Sequence, residues 1–464
     1  MFVKIKRSTF LDAWLVIANN VIESFNGVMV LLLIVLWLTL DFLPKTRLDP
    51  PATISLYLAL VGLVVLAVFA RSGQVADKFA PHKVAELSQY LNIASMVLFA
   101  AILAFASPRY PLLVLAIMAM LQLMFTNRDI LFDSAVMVII SSRVPEERQS
   151  EFFTWNFRAN LVVPLTAPIV GTWLFEHNKY LAIGVCTLLS LASAALLSWT
   201  RRKWVPRDTF NEKPDISLRA YIREFSRKLD KKEKDFRGFK AFKHLNFAGI
   251  ILFIMAAEAL GNRSREAYDV FFVTETFHQP ATSFGLISVF MFIGTVLGTS
   301  LKSVIASRWK QWWWPVAFYV VFALSFLSRG LAPNVLLFLL AGGVNGFAAG
   351  FSGGIFEVAW VSNTTKEHLG AVSAAKSAYF TIVSTGGYLI WAVFAWWGNS
   401  VSPTFMADYG YRIACVIGGG FILIAAVSSI RLYRHVDWTG TAEPMSTVTT
   451  PETNAEATES TDCI

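Results

Sequence analysis

About a dozen runs of mostly apolar residues follow one another along this chain, each long enough to cross a lipid bilayer. A helix needs about 20 such residues to traverse the roughly 30 Å hydrocarbon layer. Only helices and closed barrels satisfy their backbone polar groups in lipid, and these runs are too long and continuous for barrel strands. They fall at 11–40, 54–70, 84–106, 111–142, 153–175 and 180–199, then at 247–273, 281–301, 312–331, 335–361, 371–397 and 409–432. The composition agrees: 55% of residues are hydrophobic and 16% charged, whereas a soluble domain carries roughly 25% charged residues to coat its surface. The expected class is an all-α integral membrane protein of about twelve transmembrane helices.

The formal net charge of +8 would suit nucleic acid, but its placement does not. Lys4, Lys6 and Arg7 precede the first span, and Arg71, Lys78 and Lys83 lie between the second and third. Arg143 and Arg148 follow the fourth, Lys302, Arg308 and Lys310 the eighth, Arg431 and Arg434 the last. The alternate loops are short and nearly free of Lys and Arg. Positive loops remain cytoplasmic, so both termini are expected in the cytoplasm and the protein in the plasma (inner) membrane. Cys186, Cys415 and Cys463 have neither disulfide nor metal spacing. The first span is too long for a signal-peptide core and is expected to remain as a helix.

The expected domains are an N-terminal six-helix bundle (1–199), a basic linker (200–245), a C-terminal six-helix bundle (246–433) and a tail (434–464). In the linker, Leu218, Ile222, Phe225 and Leu229 recur at helical spacing among Arg and Lys. That suits either an amphipathic helix on the anionic leaflet or a solvated connector. The tail is rich in Thr, Glu, Ser and Pro and is expected to be disordered. The halves carry a faint repeat. Gly73 has Asp77 four and Lys83 ten residues on; Gly298 has Lys302 and Arg308 at the same offsets. Phe132-Asp133 in the fourth span has a counterpart, Phe356-Glu357, in the tenth. Paired halves with a site between them are how many transporters achieve alternating access.

The segment Gly73-Gln-Val-Ala-Asp77-Lys78-Phe-Ala80-Pro81-His82-Lys83, read as a turn opening at Gly73 after the second span, resembles the signature loop of the major facilitator superfamily. That signature runs Gly, three residues, Asp, a basic residue, one residue, Gly and two basic residues. Here Ala80 replaces the second glycine, and Pro81-His82 followed by Lys83 stands for the basic pair. Arg143-Val-Pro-Glu-Glu-Arg148 is similar to the family's loop after the fourth span, and Pro168 and Gly171 match part of its drug/proton antiporter motif. The wording is nearest the lysophospholipid-transporter and drug-exporter branches. The resemblance implies two pseudo-symmetric six-helix bundles, with spans one, four, seven and ten lining a central cavity. It also implies a charge latch or gating loop at Gly73, Asp77, Lys78 and Lys83.

Charges inside spans are costly, roughly 2.5–3.5 kcal/mol each on insertion scales, so each needs a partner, a water cavity or a job. Span one carries Asn19, Asn20, Glu23 and Asn26; span four carries Arg128, Asp129 and Asp133. Span seven carries Glu258, Asn262, Arg263, Arg265, Glu266 and Asp269, and Glu357 lies in span ten. These are the spans that the resemblance places around the cavity. The candidate substrate- or ion-binding residues are therefore Glu23, Asn26, Arg128, Asp129, Asp133, Glu258, Arg263, Arg265 and Glu357. The arginines would hold a carboxylate or phosphate by forked hydrogen bonds, and the carboxylates would titrate with a coupling proton. The competing reading makes them permanent ion pairs, such as Arg128 with Asp129 or Arg265 with Asp269.

The expected activity is secondary transport of a small amphiphilic or charged solute, by alternating access and as proton-coupled efflux. The alternatives are a lysophospholipid translocase or a non-transporting sensor. Short loops without His pairs speak against an enzyme. The expected partners are the solute, H+ and membrane lipids, with no cofactor, metal or nucleic acid, and the protein is expected to be a monomer.

Overall fold

The computed structural model describes residues 7–143, 156, 159–160, 162–204, 217–226, 248–305, 314–352, 366–402 and 404–432. Among them are thirteen α-helices and no strand. The first six are α1 (Arg7–Leu36), α2 (Pro50–Lys78), α3 (Pro81–Phe105), α4 (Pro111–Arg143), α5 (Val163–His177) and α6 (Lys179–Trp204). A short α7 (Leu218–Ser226) stands between the halves. Then come α8 (Ala248–Phe271), α9 (Ala281–Ile305), α10 (Trp314–Leu331), α11 (Val335–Ser352), α12 (Lys366–Val401) and α13 (Tyr411–Leu432).

Local chemistry fixes several starts. Proline opens α2, α3 and α4, where its missing N–H costs no hydrogen bond. Asp49 caps α2 by accepting from the Ala52 N–H. The helices outrun the apolar segments. Gly73, Asp77 and Lys78 belong to the last turns of α2 rather than to a loop, and the chain turns only at Phe79-Ala80. A helix does not stop where the hydrocarbon does: α2 runs on to Lys78 and ends where Phe79 and Ala80 both turn extended, Ala80 under the constraint of Pro81.

The burial pattern inverts that of a soluble protein. Leu112, Val393, Trp396 and Val427 are exposed, while Asn92, Ser95, Ser190 and Ser193 are sealed inside. Among the described residues, seven helical stretches are long and apolar enough to cross a membrane, and three shorter apolar ones accompany them.

The packing repeats between halves. In the first, α1 packs on α5 and α6, α3 on α4 and α6, and α2 on α4. In the second, α8 packs on α12 and α13, α10 on α11 and α13, and α9 on α11. The halves meet through α2 with α12 and α5 with α9, which are equivalent pairs under the repeat. Even a local distortion is repeated. A π-helical segment follows α1 at Trp37–Phe42 and α8 at Phe272–Thr276; these begin 235 residues apart, the same separation as Glu23 and Glu258.

In the second half, α9 and α11 approach each other closely. A Cβ at Gly294 would collide with the Gly343 carbonyl, and one at Gly346 with the Met291 carbonyl. Small residues let two backbones approach this way in lipid. Thr295 reinforces the contact by donating to the Gly346 carbonyl at 3.1 Å.

Between the halves, α7 rests on the first bundle through Tyr221, which is buried beside Phe79, Val84 and Leu131 and accepts a hydrogen bond from Asn127 of α4. Ile222 stays exposed. Leu229 and the tail lie outside the described residues.

Candidate functional site

In the first bundle, four helices bring polar side chains to one point. Glu23 of α1 and Arg128 of α4 are each only 2% exposed and form an ion pair at 3.1 Å. Arg128 Nη2 also donates to Asn92 Oδ1 on α3 at 3.3 Å. Asn92 Nδ2 donates to Glu23 Oε2 at 3.3 Å and to Ser190 Oγ on α6 at 3.0 Å. Asn26 completes the ring, donating to Ser190 Oγ at 2.8 Å. At bilayer depth such a set persists because each charge is met by an opposite charge or a polar group.

Asp129 takes a second hydrogen bond from Arg128 Nη1. Its side chain is 49% exposed, and it lines a cavity of about 350 Å³ between α1 and α4. That volume is at the small end of the range for ligand pockets. The terminal nitrogens of Arg128 are held by three protein partners, while its buried Nε has none.

In the second bundle, the polar residues of α8 point several ways. Glu258 accepts from the Tyr319 hydroxyl on α10 at 2.7 Å. Arg263 pairs with Glu266 and donates to Ser384 Oγ on α12 at 2.9 Å and to the Tyr388 hydroxyl at 3.3 Å. Arg265 reaches toward α9, where it lies 3.2 Å from the Met291 sulfur, with Glu266 at 3.9 Å. Asp269, paired in the sequence reading with Arg265, bonds instead to Arg329 of α10 at 2.9 Å. That arginine is fully buried, with its guanidinium over the Phe338 ring.

The structure thus gathers Glu23, Asn26, Arg128 and Asp129 in one network, and distributes Glu258, Arg263 and Arg265 around α8. Asp133 lies on α4, but its side chain is outside the described residues, as are those of Gly73, Asp77 and Lys78 on α2. Glu357 is outside them altogether. Lys83 pairs with Glu86 on its own helix at 3.3 Å. Asn92, Ser190, Tyr319, Arg329 and Tyr388 went unnoticed in the sequence. The first two carry no charge to mark them within their spans, and Arg329 sits at a span end where a basic residue attracts no attention.

The described contacts between halves gather toward the end of the molecule that carries residues 43–49. Gly62 of α2 meets Thr385 of α12, and Gly285 of α9 meets Thr172 of α5. Leu36, Val270 and Ala281 form a shared apolar cluster. Glu176, at the end of α5, accepts from the Thr282 N–H in the first turn of α9 at 2.7 Å. A carboxylate of one bundle thereby caps a helix of the other.

No family model and no curated protein matches this chain by sequence. Solved structures do match in shape. A mutant of the peptide transporter POT in complex with alafosfalin superposes with a TM-score of 0.67 at 14% identity, covering 92% of this chain and 95% of that one. A bacterial homologue of the iron transporter ferroportin, in an inward-facing state, gives 0.66 at 16% identity, over 91% and 99%. A D-xylose-proton symporter gives 0.64 at 15% identity, over 93% and 99%. Identities of this size speak to architecture alone. With the repeated packing of two six-helix halves, they establish that this chain has the major facilitator fold.

Proposed function

We propose that this protein is a secondary active transporter of the major facilitator type. It carries a small amphiphilic or charged solute by alternating access, with protons as the coupling ion and efflux as the direction. In this reading both termini are cytoplasmic, the protein sits in the plasma membrane and it works as a monomer. The observation that carries the reading is the buried Glu23–Arg128–Asn92 network, which opens through Asp129 onto a solute-sized cavity in a two-bundle fold.

Glu258 is assigned the coupling proton. Its described hydrogen-bond partner is the neutral phenol of Tyr319, so a proton can arrive or leave without breaking an ion pair. Glu258→Gln retains an acceptor for Tyr319 and removes the titration. Proteoliposomes carrying this variant should lose transport driven by a pH gradient and keep solute exchange at equal pH. Arg128→Gln should lose both. Full gradient-driven transport in both variants would remove the site from the mechanism, and ligand binding without flux in the unaltered protein would favour a sensor.

A further inference from the structure

We infer, resting on the transport reading, that the cavity between α1 and α4 receives the positively charged group of an organic cation, with Asp129 as its counter-charge. Three ionisable groups border the cavity: Glu23, Arg128 and Asp129. Their formal sum is negative. What matters more is which of them a solute can touch. Arg128 is 2% exposed, and its two terminal nitrogens are held by Glu23, Asp129 and Asn92. An incoming anion would have to displace a carboxylate to reach it. Asp129 is 49% exposed, so the charge presented to the cavity is a carboxylate.

The rest of the wall suits the same ligand. Gln122, Phe125, Asp129 and Phe132 all line the cavity, and their spacing places them on one stripe of α4. Gln122 Oε1 is buried and has no hydrogen-bond partner. A buried acceptor left unmet costs about 1–3 kcal/mol, and a donor such as a substituted ammonium would meet it. Phe125 and Phe132, 5% and 1% exposed, close the wall behind these polar groups as packed core rather than as open aromatic surface. Across the cavity, Gly27 faces Asp129 with no side chain of its own; an added Cβ would come into van der Waals contact with Asp129 Oδ1 at 3.9 Å. The cavity therefore offers an exposed carboxylate and, in its wall, an unmet amide oxygen, and no accessible cation.

Two ions of nearly one shape and opposite charge test this: tetraphenylphosphonium and tetraphenylborate. Equilibrium binding of each to the purified full-length protein should show saturable binding of the phosphonium and at least tenfold weaker binding of the borate. Asp129→Asn should weaken phosphonium binding about tenfold or more, which corresponds to about 1.4 kcal/mol. Asp129→Glu should restore most of it, and Gln122→Leu should weaken it several-fold for a cation that donates hydrogen bonds, such as benzylammonium. Equal binding of the two tetraphenyl ions, no saturable phosphonium binding, or unchanged affinity in a folded Asp129→Asn protein would each overturn the inference. The transport reading stands or falls separately. Flux of anionic solutes that ignores Asp129→Asn would end the cation site and leave transport intact, whereas cation binding without flux would do the reverse.

Discussion

The guanidinium of Arg329 has no exposed surface, and the carboxylate of Asp269 is 2.9 Å away. Removing one partner of such a pair strands the other, at a cost of about 3–5 kcal/mol, while replacing both by apolar groups can be neutral. Arg329→Met should therefore lower the thermal unfolding temperature in detergent by many degrees, and Asp269→Leu added to it should recover most of the loss. If the single variant unfolds like the parent protein, the pair is not structural. The same residues show what the sequence could and could not reveal. Charged side chains inside apolar runs announce themselves by their cost, so Glu23, Arg128 and Asp129 were found from the sequence. Their partners Asn92 and Ser190 are neutral, and nothing in a single sequence separates a neutral polar residue in a network from one that bonds its own backbone. Asp269 was seen, but its partner was sought on the same helix because only intrahelical spacing is visible before folding.

At the level of helices, each long described helix coincides with one of the expected apolar runs, and several extend past it. Hydropathy failed where the helix continues into water. The last turns of α2 and the first turn of α12 are polar yet helical, so an apolar run is a measure of lipid contact rather than of helix length. The glycines of α9 and α11 illustrate a contact whose exact partner only the fold supplies. The Gly342–Gly346 run reads as a close-packing surface, but its docking on Gly294 and Met291 requires the three-dimensional pairing. Gly346→Leu should push these helices apart. Overpacking of a tight contact costs typically 1–3 kcal/mol, so this variant should show reduced folded yield and a lowered unfolding temperature. Gly420→Ala, with nothing within 4 Å of an added Cβ, should leave both unchanged.

For the whole molecule, the contacts between halves near residues 43–49 include two carboxyls just outside the spans. Burial pushes both Asp49 and Glu275 above the ordinary carboxylate range; hydrogen bonds from Asn399 and Tyr411 pull each partly back, and the charge of Asp49 raises Glu275 further. Asp49 belongs to the first half and Asn399, Glu275 and Tyr411 to the second. A carboxyl with a raised pKa binds its proton more readily in this arrangement than when solvated, so stability falls as pH rises through the raised value and is gained on acidification. Acid should thus favour the arrangement in which α2 and α12 close this end. Spin labels at Arg47 and Ser400 should show a larger short-distance population in acidic than in alkaline buffer. Asp49→Asn with Glu275→Gln should flatten the response, and a pH response persisting in that double variant would assign it elsewhere.

The seat of Tyr221 on α4 has a mechanical consequence. It fastens the strand joining the lobes to the first lobe next to Arg128, and leaves 21 residues, 227–247, between Ser226 and the start of α8. Fully stretched, that length could reach about 70 Å at roughly 3.4 Å per residue, so the connection sets no short limit on how far the lobes can separate. Cutting this connection with a protease at an inserted site should therefore leave both pieces working as a pair, held by the faces they share.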